Sequence, residues 1–345
     1  MTLTWLKNWQ PFQIDALGLV TLLGAEQVNK ALGCFIAHPV SDYLPLLAAF
    51  VVAGDSFNEP IPGFQLYNVT DGIVAYDISP WFSRWLFMQD LTWNSTYLSV
   101  HFSRTRRLRW PTICSLACGL VVNGTLIAVA AVMGDWWGLA NASALAISVI
   151  VRRYLLEERA KGLRQNWYKE NHETWANVDV KCLVLTPAGQ AVTIYAPRGI
   201  ITEVILTEPK VKRKTRYRTV RIVGWIGFFC HIVALGMASL VNQMISVFVL
   251  IVSTWSAIYA IGTDHSVVAG KLRIERHDGD TDMESRSRVY RRLDLTAEEV
   301  ESLLGWSLMP PRLKQDWWRR YYGLKDTDRQ RFKQWRTSVA GVVKA

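Results

Sequence analysis

The sequence predicts a mainly α membrane protein: two transmembrane helical hairpins, giving four spans, with a small β-containing cytosolic insert and a helical C-terminal tail. Three observations support this fold class. Four long runs lack charged side chains, Lys and Arg cluster beside those runs, and one segment between them alternates like a strand. Only 20% of the 345 residues are charged and 50% are hydrophobic, which excludes a disordered chain.

The first 103 residues form an acidic segment that contains several Trp side chains. Within residues 31–54, only 43–53 are uncharged and mostly apolar. That run has about half the length that a span needs. We therefore expect a re-entrant or broken helix, or a core helix, rather than a full crossing at 31–54.

The first hairpin is predicted within residues 104–156. Its spans are 111–133 and 136–153, and the first is long enough, at about 1.5 Å per helical residue, to cross a hydrocarbon core of about 30 Å. The second span is shorter, so we expect Arg152 and Arg153 to extend toward the headgroups at its end.

The second hairpin is predicted within residues 220–262. Its spans are 222–241 and 244–262, separated by the polar pair Asn242-Gln243. Each pair of spans is therefore expected to reverse direction in a very tight turn.

The cytosolic insert covers residues 157–219, and the tail covers 263–345. In the insert, β-branched residues alternate on both sides of Pro187-Ala188-Gly189-Gln190, which predicts a β-hairpin, and 199–207 is expected to be a third strand or a short helix. In the tail, Thr296 and Glu299 form a capping-box pattern at the start of a helix.

A second tail helix is expected after Pro310-Pro311, and it carries adjacent Trp, Arg and Tyr residues. Two arrangements fit this composition. The helix could lie on an anionic headgroup layer, or Leu313, Trp317 and Tyr321 could pack on a neighbouring helix.

Basic clusters flank all four spans, whereas the two predicted turns contain no Lys or Arg. By the positive-inside rule, the N-terminal flank, the central insert and the C-terminus are cytosolic. The residues expected to contact anionic lipid headgroups are Arg104, Arg106, Arg107, Arg109, Lys212, Arg213, Lys214 and Arg216. Because the clusters abut the spans, topology accounts for the net charge of +10, and no nucleic-acid partner is predicted.

Two glycosylation sequons begin at Asn68 and Asn94, both in the acidic segment. They could be used only if this segment were lumenal. Since the positive-inside rule predicts a cytosolic flank, we expect both to be chance occurrences.

Asn123 and His231 lie near the middle of the first and third spans, at matching distances from the turns. Polar groups at this depth either form interhelical hydrogen bonds or line a path. A structural pair is favoured, because intramembrane pathways usually include acidic or basic groups.

Small residues recur at intervals of four in three spans, a pattern that favours close helix contact within a bundle or a homodimer. They are Ser115 and Gly119, then Gly138, Ala142 and Ala146, then Ala234 and Ala238.

No nucleotide, hydrolase or metalloprotease motif is visible, so we expect no catalytic residues, metal or cofactor. The leading hypothesis is a scaffold or regulatory membrane component. One alternative is a small transporter or channel lined by Asn123 and His231. Another is a membrane-embedded enzyme, which would require His101, His172 or His265 to converge with a carboxylate.

Three sequence stretches carry a family resemblance: GDWWGLANA at 134–142, VIVRR at 149–153 and GQAVT at 189–193. Over residues 104–262 the chain resembles uncharacterised multi-pass integral membrane proteins of filamentous fungi. The resemblance implies a eukaryotic membrane context and assigns no residue a role.

Overall fold

A computed structural model describes residues 8, 24–36, 40–89, 91, 96–102, 110–170, 174–259, 265–278 and 286–324. In these ranges the protein is mostly helical, with four long apolar helices and one β-sheet. The helices are α1 (Ala25–Gly33), α2 (Ala49–Gly54), α3 (Pro80–Met88), α4 (Trp110–Met133), α5 (Trp136–Glu170), α6 (Lys214–Met237), α7 (Leu240–Tyr259), α8 (Arg286–Arg292), α9 (Ala297–Gly305) and α10 (315–324). The strands are β1 (Gln65–Asn68), β2 (Ile73–Ala75), β3 (Thr96–Phe102), β4 (Asp179–Leu185), β5 (Ala191–Pro197), β6 (His265–Val268) and β7 (Leu272–Asp278).

Helices α4 to α7 are each long and apolar enough to cross a membrane. They correspond in order to the four predicted spans, with differences at two places. Helix α5 continues past residue 153 to Glu170, because its later part buries Leu155 and Leu163 in the sheet core. The second turn lies at Ala238-Ser239, earlier than the predicted Asn242-Gln243, and Asn242 belongs to the first turn of α7.

The long helices pack around α5, which contacts α4, α6 and α7, while α7 also contacts α4. The first hairpin reverses at Gly134, whose φ of 66° is the left-handed conformation that glycine adopts readily at a helix C-terminus.

The sheet has seven strands in the order β2-β1-β4-β5-β3-β7-β6. The predicted hairpin is present as β4 and β5, and every pairing is antiparallel except that of β3 with β5. Strands from the N-terminal segment and from the region after α7 complete the sheet. The insert is therefore the centre of a larger structure, since a two-stranded hairpin alone could not bury a core.

Both faces of the sheet are covered. Val180, Cys182 and Val184 of β4 face the larger core, which includes Trp81 and Trp85 of α3. Leu183 faces the opposite cluster, formed with α8, α9 and α10. Since β4 is buried on both sides, its sequence is nearly continuous in apolar residues.

The segment 31–54 contains no helix of spanning length. Helix α1 ends at Gly33, a single turn covers Ser41–Tyr43, and α2 begins at Ala49. Residues 40–44 lie against α4, where Ser115 Oγ donates to the carbonyl of Val40 at 3.4 Å.

The tail has the predicted capping box at Thr296, whose Oγ1 accepts from the Glu299 N–H at 3.2 Å. The expected stripe of Leu313, Trp317 and Tyr321 is partly wrong. Leu313 is 93% exposed because it precedes α10, whereas Trp318 and Tyr321 are buried against the sheet.

Candidate functional site

A buried carboxylate joins the turns of the two hairpins. Asp135 Oδ2 accepts from the Asn242 Nδ2 at 2.7 Å and from the Ser239 N–H at 2.8 Å, while Oδ1 accepts from the Gly138 N–H at 3.0 Å. Burial alone would raise the pKa of Asp135, but these hydrogen bonds stabilise the carboxylate and hold its pKa below the ordinary value. Both turns therefore lie at the same end of the bundle.

Hydrogen-bonded polar side chains from three helices meet in the interior of the bundle. His231 Nδ1 of α6 lies 2.6 Å from Asn141 Oδ1 of α5, and Asn141 Nδ2 donates to Ser246 Oγ of α7 at 2.9 Å. All three residues are buried. The predicted residue His231 thus pairs with Asn141, which the sequence analysis did not select.

Asn123 has a different environment. Its Nδ2 donates to the carbonyl of Gly119 at 2.7 Å and to that of Tyr43 at 3.3 Å. Its Oδ1 is buried and has no hydrogen-bond partner among the residues that the structure describes. Asn123 and His231 therefore serve different contacts, one with the 40–44 segment and one within the bundle.

The predicted headgroup residues fall into two groups. Arg104, Arg106, Arg107 and Arg109 lie outside the described residues. Lys212, Arg213, Lys214 and Arg216 are exposed around the start of α6. The Arg216 guanidinium also lies 5.0 Å from the ring centre of Tyr154.

The predicted extension of Arg152 to the headgroups is wrong. Its side chain is buried, and Nη2 donates to the carbonyls of Asp42 at 2.8 Å and Leu44 at 2.7 Å. Arg153 pairs with the Asp42 carboxylate at 2.9 Å and stacks on Tyr43. These arginines hold the 41–44 segment against α5, because Arg152 binds its carbonyls and Arg153 binds its one carboxylate.

A cavity of about 60 Å³ adjoins these arginines. Apolar side chains of α1, α5 and α7 form much of its wall, together with the β6–β7 turn. The charged residues that line it are Asp42, Arg152, Arg153 and Glu157.

A second ionic cluster lies where the bundle meets the sheet. The Asp55 carboxylate accepts from Arg159 Nη2 at 2.7 Å and from the Tyr217 hydroxyl at 2.6 Å. Arg159 also binds Glu208 at 2.9 Å. The cluster ties the turn after α2 to α5, α6 and the end of the insert.

The enzyme hypothesis requires His101, His172 or His265 to lie near a carboxylate, and the structure meets this requirement only in part. In the sheet register, His101 lies opposite Arg273, and His265 lies opposite Glu275. Burial lowers the pKa of His101, while the nearby Glu275 acts to raise it. His172 is outside the described residues, and the described part of the chain contains no group of His, Cys, Asp or Glu that could hold a metal.

The sequon at Asn68 is built into the sheet. Asn68 is buried in β1 and its Nδ2 donates to the Asp71 carboxylate at 2.7 Å, so a glycan has no room there in the folded protein. Asn94 lies outside the described residues.

Small residues are used inside the bundle. Gly119 lies so close to Tyr43 that an added Cβ would be 2.6 Å from its carbonyl oxygen, and Ala142 and Ala234 are buried. These small residues therefore allow close contacts within one chain. The homodimer stays a prediction.

Sequence reasoning missed Asp135 and Asn141 and assigned Arg152 the wrong environment. One signal could have identified Asp135, because it is the only charged residue between two uncharged runs. Asn141 and Arg152 gave no comparable signal, since their partners are distant in the sequence.

Comparisons with protein-family models, with curated proteins and with solved structures give no match to this chain. The resemblance to fungal membrane proteins stays a prediction. Function is therefore argued from the fold and the geometry.

Proposed function

We propose that this chain is a multi-pass integral membrane protein whose helices α4 to α7 span the bilayer, and that it acts as a scaffold or regulatory membrane component. The observation that carries the proposal is the inverted polarity of the bundle. Its large apolar side chains face outward, and its hydrogen-bonded polar side chains face inward.

All four helices contribute to the outer apolar surface. Exposed side chains include Leu120, Val121, Ile150, Ile226, Phe229, Phe248 and Trp255. In water, such a surface would be an association or aggregation site. In the hydrocarbon core of a membrane, lipid chains would contact this apolar surface. The interior side chains of Asn141, His231 and Ser246 are hydrogen-bonded to one another.

The proposed orientation places the N-terminal flank, the central insert and the C-terminus in the cytosol. It is supported by the exposed Lys212, Arg213 and Lys214 at the start of α6, opposite the end at which Asp135 joins the turns. These cations would contact anionic headgroups, while the sheet would present a rigid surface at the cytosolic membrane face.

A small transporter or channel is the second candidate. The unpartnered Asn123 Oδ1 favours it, because such a group could bind a passing ion or solute. His231 argues against it, because its Nδ1 is already paired with Asn141. A membrane-embedded enzyme, the third candidate, would use the His101 and Glu275 region.

Membrane insertion is tested by alkaline carbonate extraction of membranes that contain the full chain. Phe248→Arg is the informative variant, because Phe248 is 68% exposed on α7. An Arg at the centre of a span costs about 2.5 to 3.5 kcal/mol of insertion free energy, whereas it is harmless on a water-exposed surface. Leu313→Arg is the matched control outside the spans.

We expect the unchanged chain and Leu313→Arg to stay in the membrane pellet and Phe248→Arg to be depleted from it. Release of the unchanged chain by carbonate, or equal retention of both variants, would contradict insertion. Scaffold and transporter are then separated by potassium and proton flux in proteoliposomes. If the unchanged chain conducts and the Asn123→Ala, His231→Ala double variant does not, the transporter proposal replaces the scaffold proposal.

A further inference from the structure

Four charged residues line the cavity, namely Asp42, Arg152, Arg153 and Glu157, and Arg152 differs from the other three in its pairing. Three of the four are ion-paired: Arg153 with Asp42 at 2.9 Å, and Glu157 with Arg164, which does not line the cavity, at 2.8 Å. Arg152 forms no ion pair within the described residues and donates only from Nη2. The Asp42 carboxylate acts on Arg152 electrostatically, but its direct ion pair is with Arg153. A buried guanidinium with no carboxylate in direct contact is costly unless another anion completes its environment.

The apolar part of the wall suggests what carries that anion. The apolar residues that line the cavity are Leu32, Phe35 and Ile36 of the α1 region, Leu156 of α5 and Ala257 of α7. A cavity of about 60 Å³ has room for a headgroup phosphate but not for a whole lipid. The acyl chains would stay in the bilayer beside α7.

We propose that this cavity binds the headgroup phosphate of an anionic phospholipid, with Arg152 as the principal cation. Nε and Nη1 of Arg152 make no hydrogen bond to the described residues, so a phosphate could accept from both. Planar guanidinium groups bind phosphate in this two-point manner. The ligand would thereby link α5 to the 41–46 segment, which also borders the cavity.

The inference rests on the proposed membrane location, which puts the cavity at the cytosolic leaflet, where anionic lipids concentrate. The site differs from the exposed cluster around Lys212, because its cation is buried and lies in a defined cavity. It therefore predicts stoichiometric binding rather than diffuse attraction to a charged surface.

The test uses the full chain in neutral detergent, with native mass spectrometry of bound lipid. The probes are phosphatidic acid and phosphatidylcholine with identical acyl chains, and inorganic phosphate. Ala257→Phe adds a ring at the α7 wall of the cavity and leaves both arginines in the sequence, and Ala128→Phe is its control on the exposed face of α4. Arg152→Gln removes the charge but keeps a side chain that can donate to the carbonyls.

We expect one phosphatidic acid to bind about tenfold or more tightly than phosphatidylcholine, the effect of about one charge-assisted hydrogen bond. Arg152→Gln and Ala257→Phe should abolish the preference, and Ala128→Phe should keep it. If Arg152→Gln does not fold, Ala257→Phe decides. Equal affinity for both lipids, or a preference retained in Ala257→Phe, would overturn the site.

Inorganic phosphate that binds as tightly as phosphatidic acid would assign the cavity to a free anion and overturn the lipid. Because binding is measured in detergent, its failure is distinguishable from failure of carbonate-resistant insertion. A chain that stays in the pellet but shows no lipid preference refutes only this site.

Discussion

The Asp135 carboxylate accepts a 2.7 Å hydrogen bond from the side chain of Asn242, and this contact joins two hairpins that are far apart in the sequence. The Ser239 N–H, from the second turn, binds the same oxygen at 2.8 Å. The Asp135 side chain thus fixes the position of α5 relative to α7 along the bundle axis, because the turns of both hairpins must lie next to each other.

Replacing Asp135 by Ala should lower the free energy of unfolding by about 2 to 3 kcal/mol. The change leaves the Asn242 amide and the Ser239 N–H buried without an acceptor, and bonds to a charged group contribute more than neutral ones. Denaturant unfolding in detergent micelles measures it. Ser143→Ala is the control, since Ser143 is exposed and its hydroxyl donates to the Leu139 carbonyl of its own helix. A loss no larger than that of the control would remove Asp135 as a structural link.

The same carboxylate predicts a pH dependence. Its pKa is below the ordinary value in the folded protein, so its contribution is present above the unfolded pKa of about 3.9 and is lost as the pH falls through the folded pKa. The difference in stability between the unchanged chain and Asp135→Asn should therefore be constant from pH 7 to pH 5 and shrink toward pH 3. Denaturant unfolding of both proteins across this pH range measures the difference. A difference that grows on acidification would contradict a lowered pKa for Asp135 in the folded protein.

Two glycines in the long helices make a matched pair. A Cβ on Gly138 would lie 2.9 Å from the Asp135 carboxylate and closer still to the Asn242 amide, whereas a Cβ on Gly124 would meet nothing within 4 Å. Gly138→Ala should therefore destabilise the fold by about 1 to 3 kcal/mol through overpacking. Gly124→Ala should be neutral or stabilising by up to about 1 kcal/mol, because alanine favours helix. Thermal unfolding of both variants tests the pair, and equal midpoints would be inconsistent with the packing described.

His231 and Asn141 should behave as one unit. Either single change to Ala leaves the partner unpaired in the bundle, and interhelical bonds of this kind contribute about 0.6 to 2 kcal/mol. The double variant should therefore lose less than the sum of the single losses. A double-mutant cycle on unfolding free energies measures the coupling. Strictly additive losses would show that the two side chains do not depend on each other.

The long helices and the β4–β5 hairpin could be predicted from the sequence because both depend on local patterns, uncharged length and alternation. The sheet around the hairpin could not. Strand β3 pairs with β5 in parallel and with β7 antiparallel, and both partners are distant in the chain. Such pairing leaves only short apolar runs in the sequence, which also fit core helices.

The polar contacts show the same division. His231 stood out because it is polar within an apolar run, but its partner Asn141 is set by how α5 and α6 pack. Arg152 was misread because a cationic residue at the end of an apolar run ordinarily extends toward headgroups. The turn at 41–44, whose carbonyls accept hydrogen bonds from this arginine, has no distinct sequence signature.

The ionic cluster of Asp55, Arg159 and Tyr217, where the bundle meets the sheet, tests whether a buried ion pair contributes more stability than an exposed one. Asp55 is the only carboxylate that binds both Arg159 and Tyr217 among the described residues. Asp55→Asn keeps a side chain that tolerates the positive φ of 66° at this position but removes the charge. It should cost about 3 kcal/mol, because the Arg159 side chain is only 10% exposed and would lose one of its two carboxylates.

Lys161 provides the control for that change. It pairs with Glu158 at 3.7 Å on the same helix but is 58% exposed, so Lys161→Ala should cost no more than about 0.5 kcal/mol. Adding salt should leave the Asp55→Asn deficit nearly unchanged, since partly buried pairs are weakly screened. Unfolding at low and high ionic strength measures both effects. If the two variants lose similar stability, or if salt removes the Asp55→Asn deficit, the cluster is a surface feature that does not hold α5 to the turn after α2.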